Sequence, residues 1–471
     1  MLALVAPIIV FGLVIFVHEL GHFVAAKLMG VYAPRFSIGF GPALFRKRRG
    51  ETEYVIAALP LGGYVRMASR HDAEAALLEG GNEESSSLRP GDAGYDPEAM
   101  MPFGPKPIPE HRWFESKGLA ARLFIMVAGV VMNVVLAFVV FVGLNATYGD
   151  QIIPSRVIGA VRVPPSAPAL AQLEPGDTIA AVNGQPVRNW NEIAQRISET
   201  SGDVVVVRTQ RNEVRVPVSA KGAATPSDLV ASIDFFIPPV IGEVMPNSPA
   251  SRAGLRARDS VVSIGGQPIR RWSELQERVG ASAGVDTRFE VIREGRRVSL
   301  TLRPESTTVK DAVTKQSRSI GKIGAFGADV TAREPMSFGR SVTTGAEQTW
   351  MTATKIVEVV HGLLTGGVSP RQLGGPIAIT RASVSAAQSG LESLFMLIAL
   401  LSVNVAVLNL LPIPILDGGQ ILLNIAEAVK GSPFSSRTRE YILRFGLVAI
   451  LLIFALSTFN DVRDGLSRLF G

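Results

Sequence analysis

Long apolar runs alternate with polar stretches along this chain, and the runs are of membrane length. Four stand out, at 2–26 (with one short polar interruption), 123–148, 393–416 and 441–460. About 20 apolar residues cross the hydrocarbon of a bilayer as a helix, so each run predicts a span. The third carries prolines near its end, which remove backbone donors, and the helix is expected to stop there. The fourth holds Arg444 near its start, where a long side chain can snorkel to the interface. Between the first two runs the period changes. Residues 36–67 mix alternating stretches such as Tyr54-Val55-Ile56-Ala57 with Gly39-Phe40-Gly41 and Pro60-Leu61-Gly62-Gly63-Tyr64, which predicts a short sheet near the membrane. Residues 70–111 are rich in Glu, Gly, Ser and Pro, have little to bury, and read as a mobile insert. Residues 341–364 carry apolar positions at helical spacing. They predict an amphipathic helix, either on the membrane surface or packed on a soluble module.

The stretch between the second and third runs contains a repeat. Gly176-Asp177-Thr178-Ile179-Ala180-Ala181-Val182-Asn183-Gly184-Gln185-Pro186-Val187 recurs as Arg258-Asp259-Ser260-Val261-Val262-Ser263-Ile264-Gly265-Gly266-Gln267-Pro268-Ile269, and Trp190 and Trp272 keep the same offset. Asn-Gly and Gly-Gly supply the positive-φ residues of a tight turn between strands. A short helix is expected after each tryptophan, at 191–199 and 273–279, followed by further strands.

Composition narrows the class. At 471 residues the chain exceeds one ordinary core. Hydrophobic residues make up 47%, which suits a mixture of spans and water-soluble modules. The net charge of +6 does not point to nucleic acid, because the cations cluster beside the apolar runs, where they set orientation. Lys27, Arg35 and 46–49 follow the first run, Lys117 and Arg122 precede the second, and Lys430, Arg437 and Arg439 separate the third from the fourth. Loops 27–122 and 417–440 are therefore expected in the cytoplasm, with both termini and the region from 150 to about 391 outside. There is no cysteine, so disulfides and thiolate metal sites are excluded. The N-terminus lacks the basic region of an ordinary signal peptide, and cleavage after its apolar run would strand the residues considered next.

Inside the first run lies His18-Glu19-Leu20-Gly21-His22. A charge near the bilayer centre costs several kcal/mol, so ionisable residues at that depth imply function. On a helix, residues i and i+4 share a face, so both imidazoles can reach one ion, with the glutamate as the base that activates water. The plain alternative is a polar helix face without metal. Asp417, the only acid between Glu392 and Glu427, closes the third run. A catalytic zinc commonly takes three protein ligands, and His18, His22 and Asp417 would complete that set. The alternative for Asp417 is a helix N-cap. His71, His111 and His361 have no partner at ligand spacing and are not assigned to metal.

The H-E-x-x-H motif, paired with Asn409-Leu410-Leu411-Pro412-Ile413-Pro414-Ile415-Leu416-Asp417-Gly418-Gly419, resembles the site-2 protease family of intramembrane zinc metalloproteases. Each repeat is similar to a PDZ domain of the bacterial, circularly permuted kind. The resemblance implies a membrane protein with an α-helical four-span catalytic core, a small membrane-associated β-region and two tandem PDZ-like α+β domains. It implies one zinc per chain on His18, His22 and Asp417, with Glu19 catalytic. Asn409 would contact the substrate backbone or the developing oxyanion, and Pro412 and Pro414 beside it are candidate substrate-binding residues. Gly129-Val130-Val131-Met132-Asn133 also looks family-like, but Val130 stands where many relatives have proline, so a role for Asn133 stays open beside plain helix packing. Gly374-Gly375-Pro376 and Phe459-Asn460-Asp461-Val462-Arg463 complete the likeness.

The expected organisation is span one at 1–30, β-region and insert at 31–117, and span two at 118–149. PDZ-like domains follow at 150–232 and 233–305, then a linker with an amphipathic helix at 306–390. Span three covers 391–416, a loop 417–440, and span four with the tail 441–471. Implied substrates are single-span proteins in the lipid bilayer of the bacterial inner membrane, including anti-sigma factors trimmed by a first protease, and leftover signal peptides. The resemblance thus implies regulated intramembrane proteolysis within a stress response. The PDZ-like domains, expected in the periplasm, would bind peptide C-termini or exclude bulky substrates. Two other readings are a membrane-anchored PDZ scaffold or sensor with a structural metal, and a metal transporter.

Overall fold

The computed structural model describes residues 2–69, 88, 90, 92, 94–218, 224–310 and 317–470. His71 and half of the expected insert (70–87, 89, 91 and 93) lie outside the described residues. Two compact units divide the chain. One comprises Met1–Gly149 with Pro335–Gly471, the other Asp150–Glu334.

In the first unit, helix α1 (Leu2–Leu28) leads into strands β1 (Arg35–Arg49) and β2 (Thr52–Arg66), then helix α2 (Leu119–Tyr148). After the other unit come α3 (Phe338–Thr365), α4 (Pro376–Ser389), α5 (Leu391–Asn409), α6 (Asp417–Lys430) and α7 (Ser436–Phe470). Among the described residues, α1, α2, α5 and α7 are long and apolar enough to cross a membrane. The first three form the core. Val10 and Val14 of α1 pack on Ile398 of α5, and Ala137 and Phe141 of α2 pack on Ala399 and Val403. Lipid tails are as apolar as leucine, so such helices associate through close packing at small residues. Gly21 is the clearest case: a Cβ there would lie 2.4 Å from the Ala128 carbonyl oxygen of α2. Span four is peripheral, with Phe445, Leu452 and Phe459 exposed along it.

Helix α5 ends at Asn409, before the apolar run does, because Pro412 and Pro414 cannot continue it. Helix α3 packs along span two: Asn145 Nδ2 donates to Gln348 Oε1 at 3.0 Å, and a Cβ on Gly345 would strike Val142. Two motifs left without a role by the sequence explain each other. The Asp461 carboxylate of α7 accepts from the Gly375 and Ala378 backbone N–H groups, both at 3.0 Å, and so caps the start of α4. Asn460 Nδ2 donates to the Pro370 carbonyl at 2.9 Å. Gly375 is needed because a Cβ would meet Asp461 Oδ2 at 2.8 Å.

Strands β1 and β2 fold back on themselves. Phe36 pairs with both Tyr54 and Val65, so the run 35–38 is central, and 63–66 forms an outer edge. Edge-on contacts of Phe16 and Phe23 with Phe36 hold the sheet against α1. At the turn between the strands, Glu51 accepts from Arg112 Nη1 and Nη2 at 2.7 and 2.8 Å and from Lys27 Nζ at 2.6 Å. The Arg112 guanidinium, aided by Lys27, holds the Glu51 carboxyl down at about 2. That pins the sheet to the chain entering span two.

The second unit holds two modules of one design. In the first, strands Ile179–Val182, Gln185–Pro186, Val204–Thr209 and Glu213–Pro217 form an antiparallel sheet covered by helix Trp190–Ser198, whose start is capped by Asn189. Its core includes Ile158, Leu170, Ile179, Ile193 and Val205. The second repeats this with Ser260–Ile264, Gln267–Pro268, Thr287–Arg293, Arg296–Leu302 and helix Trp272–Ala281. Both tight turns sit in left-handed backbone, with φ of 51° and 77° at Asn183 and Gly184 and of 59° and 79° at Gly265 and Gly266. The second module runs beyond residue 305, where the sequence reading places a linker. Ala325–Gly327 pairs with Ile241–Val244, and Ile323 joins the core. Pairing at so long a separation leaves no local pattern. At the unit's ends, Asp150–Ile152 pairs antiparallel with Ala332–Glu334, so entry and exit lie side by side.

Candidate active site

The first unit brings His18, Glu19 and His22 of α1 together with Asp417 at the start of α6. His18 Nε2 lies 3.2 Å from His22 Nε2 and 3.2 Å from Asp417 Oδ2, and His22 Nε2 lies 3.5 Å from the same oxygen. Both imidazoles are buried. Among the described residues this is the one cluster of three that could hold a metal ion. Zinc bonds of about 2.0–2.2 Å at tetrahedral angles set ligand atoms about 3.3–3.6 Å apart, close to these separations. Two further observations fit a cation. His22 Nδ1 lies 2.9 Å from the Ile125 carbonyl, which can only accept, so its proton sits on Nδ1 and the Nε2 lone pair faces the cluster. Asp417 Oδ2 is buried without a hydrogen-bond donor of its own.

Asp417 stands in the first turn of α6, yet no side chain caps that helix, so the capping alternative is not realised. Its placement depends on Gly418 and Gly419. Cβ atoms there would lie 2.2 Å from the Leu410 carbonyl oxygen and 2.1 Å from that of Ile413. The loop therefore folds directly onto the helix start. Gln420 Nε2 secures it by donating to the Pro414 carbonyl at 2.6 Å, and Arg122 Nη1 of α2 donates to Asn424 Oδ1 at 2.8 Å.

Asn409, the last residue of α5, puts Nδ2 3.1 Å from His18 Nε2. Pro412 and Pro414 do not join it. Neither lines the cavity over the site, and Pro414 packs instead against Gly446 of span four. They end α5 and shape the turn that delivers Asp417. His111 and His361 are exposed and belong to no ligand cluster.

The cavity has a volume of about 770 Å³ and is lined by His18, Glu19, His22, Asn409 and Asp417 together with the edge run 62–67. Gly63 lets that edge approach, since a Cβ would lie 3.1 Å from Glu19 Cγ. Val65 of that edge lines the cavity beside Glu19. Sequence reasoning missed Gly129. A Cβ on it would lie 2.4 Å from His22 Nε2 and 2.9 Å from His18 Cε1, so this glycine makes room for the imidazoles. The signal was its place in a small-residue stripe, which reads equally as helix packing.

Residues 6–453 match the profile of peptidase family M50. The chain belongs to that family. It is similar to the regulator of sigma-E protease RseP of Salmonella typhimurium, with 32% identity over 97% of this chain and 98% of the relative. RseP of Escherichia coli is also 32% identical, over 96% and 97% of the two chains. A putative zinc metalloprotease of Neisseria meningitidis is 30% identical over 96% and 97%. The chain is thus a membrane metalloendopeptidase of the site-2 protease type.

Proposed function

We propose that the chain is a zinc-dependent intramembrane endopeptidase of the bacterial inner membrane that cleaves transmembrane segments of single-span proteins. What carries this reading is the meeting of His18 and His22, on a helix long and apolar enough to span a bilayer, with Asp417 from the start of α6, beside Glu19. Those three residues would hold one zinc per chain, which when bound would supply Lewis acidity toward the scissile carbonyl and acidify water. Glu19 takes a proton from the attacking water onto its carboxylate and returns it to the leaving amine. Asn409 Nδ2 donates toward the substrate carbonyl as negative charge develops there. By analogy with the sigma-E regulators it is similar to, its substrates are anti-sigma factors already cut outside the membrane; leftover signal peptides are a second substrate class of the same chemistry.

A helical substrate hides its peptide bonds in its own hydrogen bonds and must unwind before cleavage. The edge run 63–66 faces the cavity and can pair with the unwound segment by strand addition. Proline placed singly along 63–66, at positions whose N–H points away from 35–38, is expected to lower cleavage about tenfold or more with the fold intact. Undiminished cleavage by every such variant rejects strand addition.

The two modules of residues 150–334 fit PDZ-like domains and, by the charge rule, a periplasmic position. The second has a groove of about 970 Å³ beside helix Trp272–Ala281 that a peptide C-terminus could enter. A size filter is preferred, because it needs no ligand at all. Because the ends of this unit are paired strands, residues 155–330 can be exchanged for a short linker without separating them. In liposomes, the full chain should cut a single-span reporter only after removal of its folded outer domain, and the excised chain should cut both forms. An excised chain that still refuses the bulky reporter rejects the filter. A full chain that cuts neither form counts against the proteolytic reading of this substrate class.

A further inference from the structure

We infer that Asn133 is a positioning residue: its side-chain oxygen accepts a hydrogen bond from His18 Nδ1–H and so fixes the tautomer in which His18 binds metal. The inference rests on the reading of His18, His22 and Asp417 as a zinc site. Asn133 is fully buried on α2, two turns after Ile125 and one after Gly129. Positions i, i+4 and i+8 share one helix face, and here that face is turned to α1. Ile125 offers its carbonyl to His22, Gly129 clears space for both rings, and Asn133 reaches His18.

The Asn133 amide lies with Nδ2 3.3 Å from His18 Nδ1. A neutral imidazole carries one N–H. Were the amide N–H₂ the partner, Nδ1 would bear the lone pair and Nε2 the proton. Yet Nε2 is the atom 3.2 Å from both His22 Nε2 and Asp417 Oδ2, and a proton there removes His18 from the ligand set. The oxygen and nitrogen of an amide exchange places by a half-turn, and their assignment follows from the hydrogen-bond network. The half-turn costs Asn133 Oδ1 no hydrogen bond, since as it stands that oxygen is buried without a partner, and it gives the oxygen the donor it lacks. With the oxygen toward Nδ1, His18 gains the arrangement His22 already has with the Ile125 carbonyl. Ser402 Oγ of α5 donates to the Asn133 backbone oxygen at 2.8 Å and ties this point of span two to span three. Outer partners of this kind orient metal-binding histidines and typically contribute about 10–100-fold to metal affinity.

The experiment compares the full chain, Asn133→Asp and Asn133→Leu in lipid nanodiscs, measuring zinc affinity by competition with a chelator and helix content by circular dichroism. Aspartate can only accept, whereas leucine can do neither. Asn133→Leu is expected to weaken zinc binding about 10–100-fold, and Asn133→Asp to bind as tightly as the wild type or more so. An Asn133→Asp as weak as Asn133→Leu overturns the inference, as does an Asn133→Leu that binds like the wild type. Should either variant misfold, nitrogen NMR of the metal-free wild type decides: a proton on His18 Nδ1 supports the inference, and a proton on Nε2 with a bare Nδ1 overturns it. A wild type that binds no zinc removes the zinc reading, and the inference falls with it.

Discussion

Glu19→Gln is expected to abolish cleavage of a single-span reporter while leaving zinc bound. The glutamine keeps the size of the side chain and its place between the histidines, so the ligand atoms of His18, His22 and Asp417 stay where they are. Only the ability to take up a proton is lost. A positioned general base contributes about 10²–10⁴-fold, which sets the expected fall in single-turnover rate. Glu19 lines the same cavity as the ligand cluster, and the edge run 63–66 closes its other side. Among the described residues Asp417 is the one carboxylate in the ligand cluster, and there it is a ligand and not a base. Zinc per chain and cleavage are measured on the same preparations. Equal cleavage by wild type and variant removes Glu19 from the mechanism. Loss of zinc together with activity assigns Glu19 to holding the site instead.

Gly129→Ala carries the second large effect. Alanine is the better helix former by about 1 kcal/mol, so propensity alone predicts a more stable span two. The new Cβ, however, would lie 2.4 Å from His22 Nε2 and 2.7 Å from His22 Cε1. Those atoms cannot yield without leaving the ligand cluster, and the clash decides the sign. Gly129→Ala should stay folded, lose zinc affinity about 100-fold or more, and lose cleavage with it, the span of second-sphere effects being only about 10–100-fold. Gly21→Ala is the informative contrast. Its Cβ meets the Ala128 backbone carbonyl at 2.4 Å, so it should force α1 and α2 apart and lower thermal stability as well as activity. A Gly129→Ala chain with wild-type zinc affinity would show that the imidazoles do not occupy the places described.

The features legible in the sequence are those carried by local pattern. Membrane spans follow from apolar run length, the sharing of a face by His18 and His22 from helical spacing, and the tight turns from Asn183-Gly184 and Gly265-Gly266. What stayed hidden depends on partners distant in the chain. Residues 36–67 read only as a short sheet; that Phe36 pairs on two sides, so that β1 and β2 fold as four runs, leaves no local signal. Ile241–Val244 finds Ala325–Gly327 across the whole second module. The cap that Asp461 places on Gly375 and Ala378 joins two motifs that looked unrelated. Pro412 and Pro414 end α5, and that the turn they shape folds onto the start of α6 shows only in three dimensions. Gly129 and Asn133 carry no local signature of metal chemistry, and only the imidazoles packed against them reveal it.

X-ray absorption at the zinc edge, applied to the wild type and to Asp417→Ala, tests most directly whether two distant segments share one cation. The wild type should give two imidazole nitrogens and a carboxylate oxygen at about 2.0–2.2 Å, and the variant should lose that oxygen and bind zinc more weakly. An unchanged shell in Asp417→Ala, or fewer than two imidazoles in the wild type, would contradict the account.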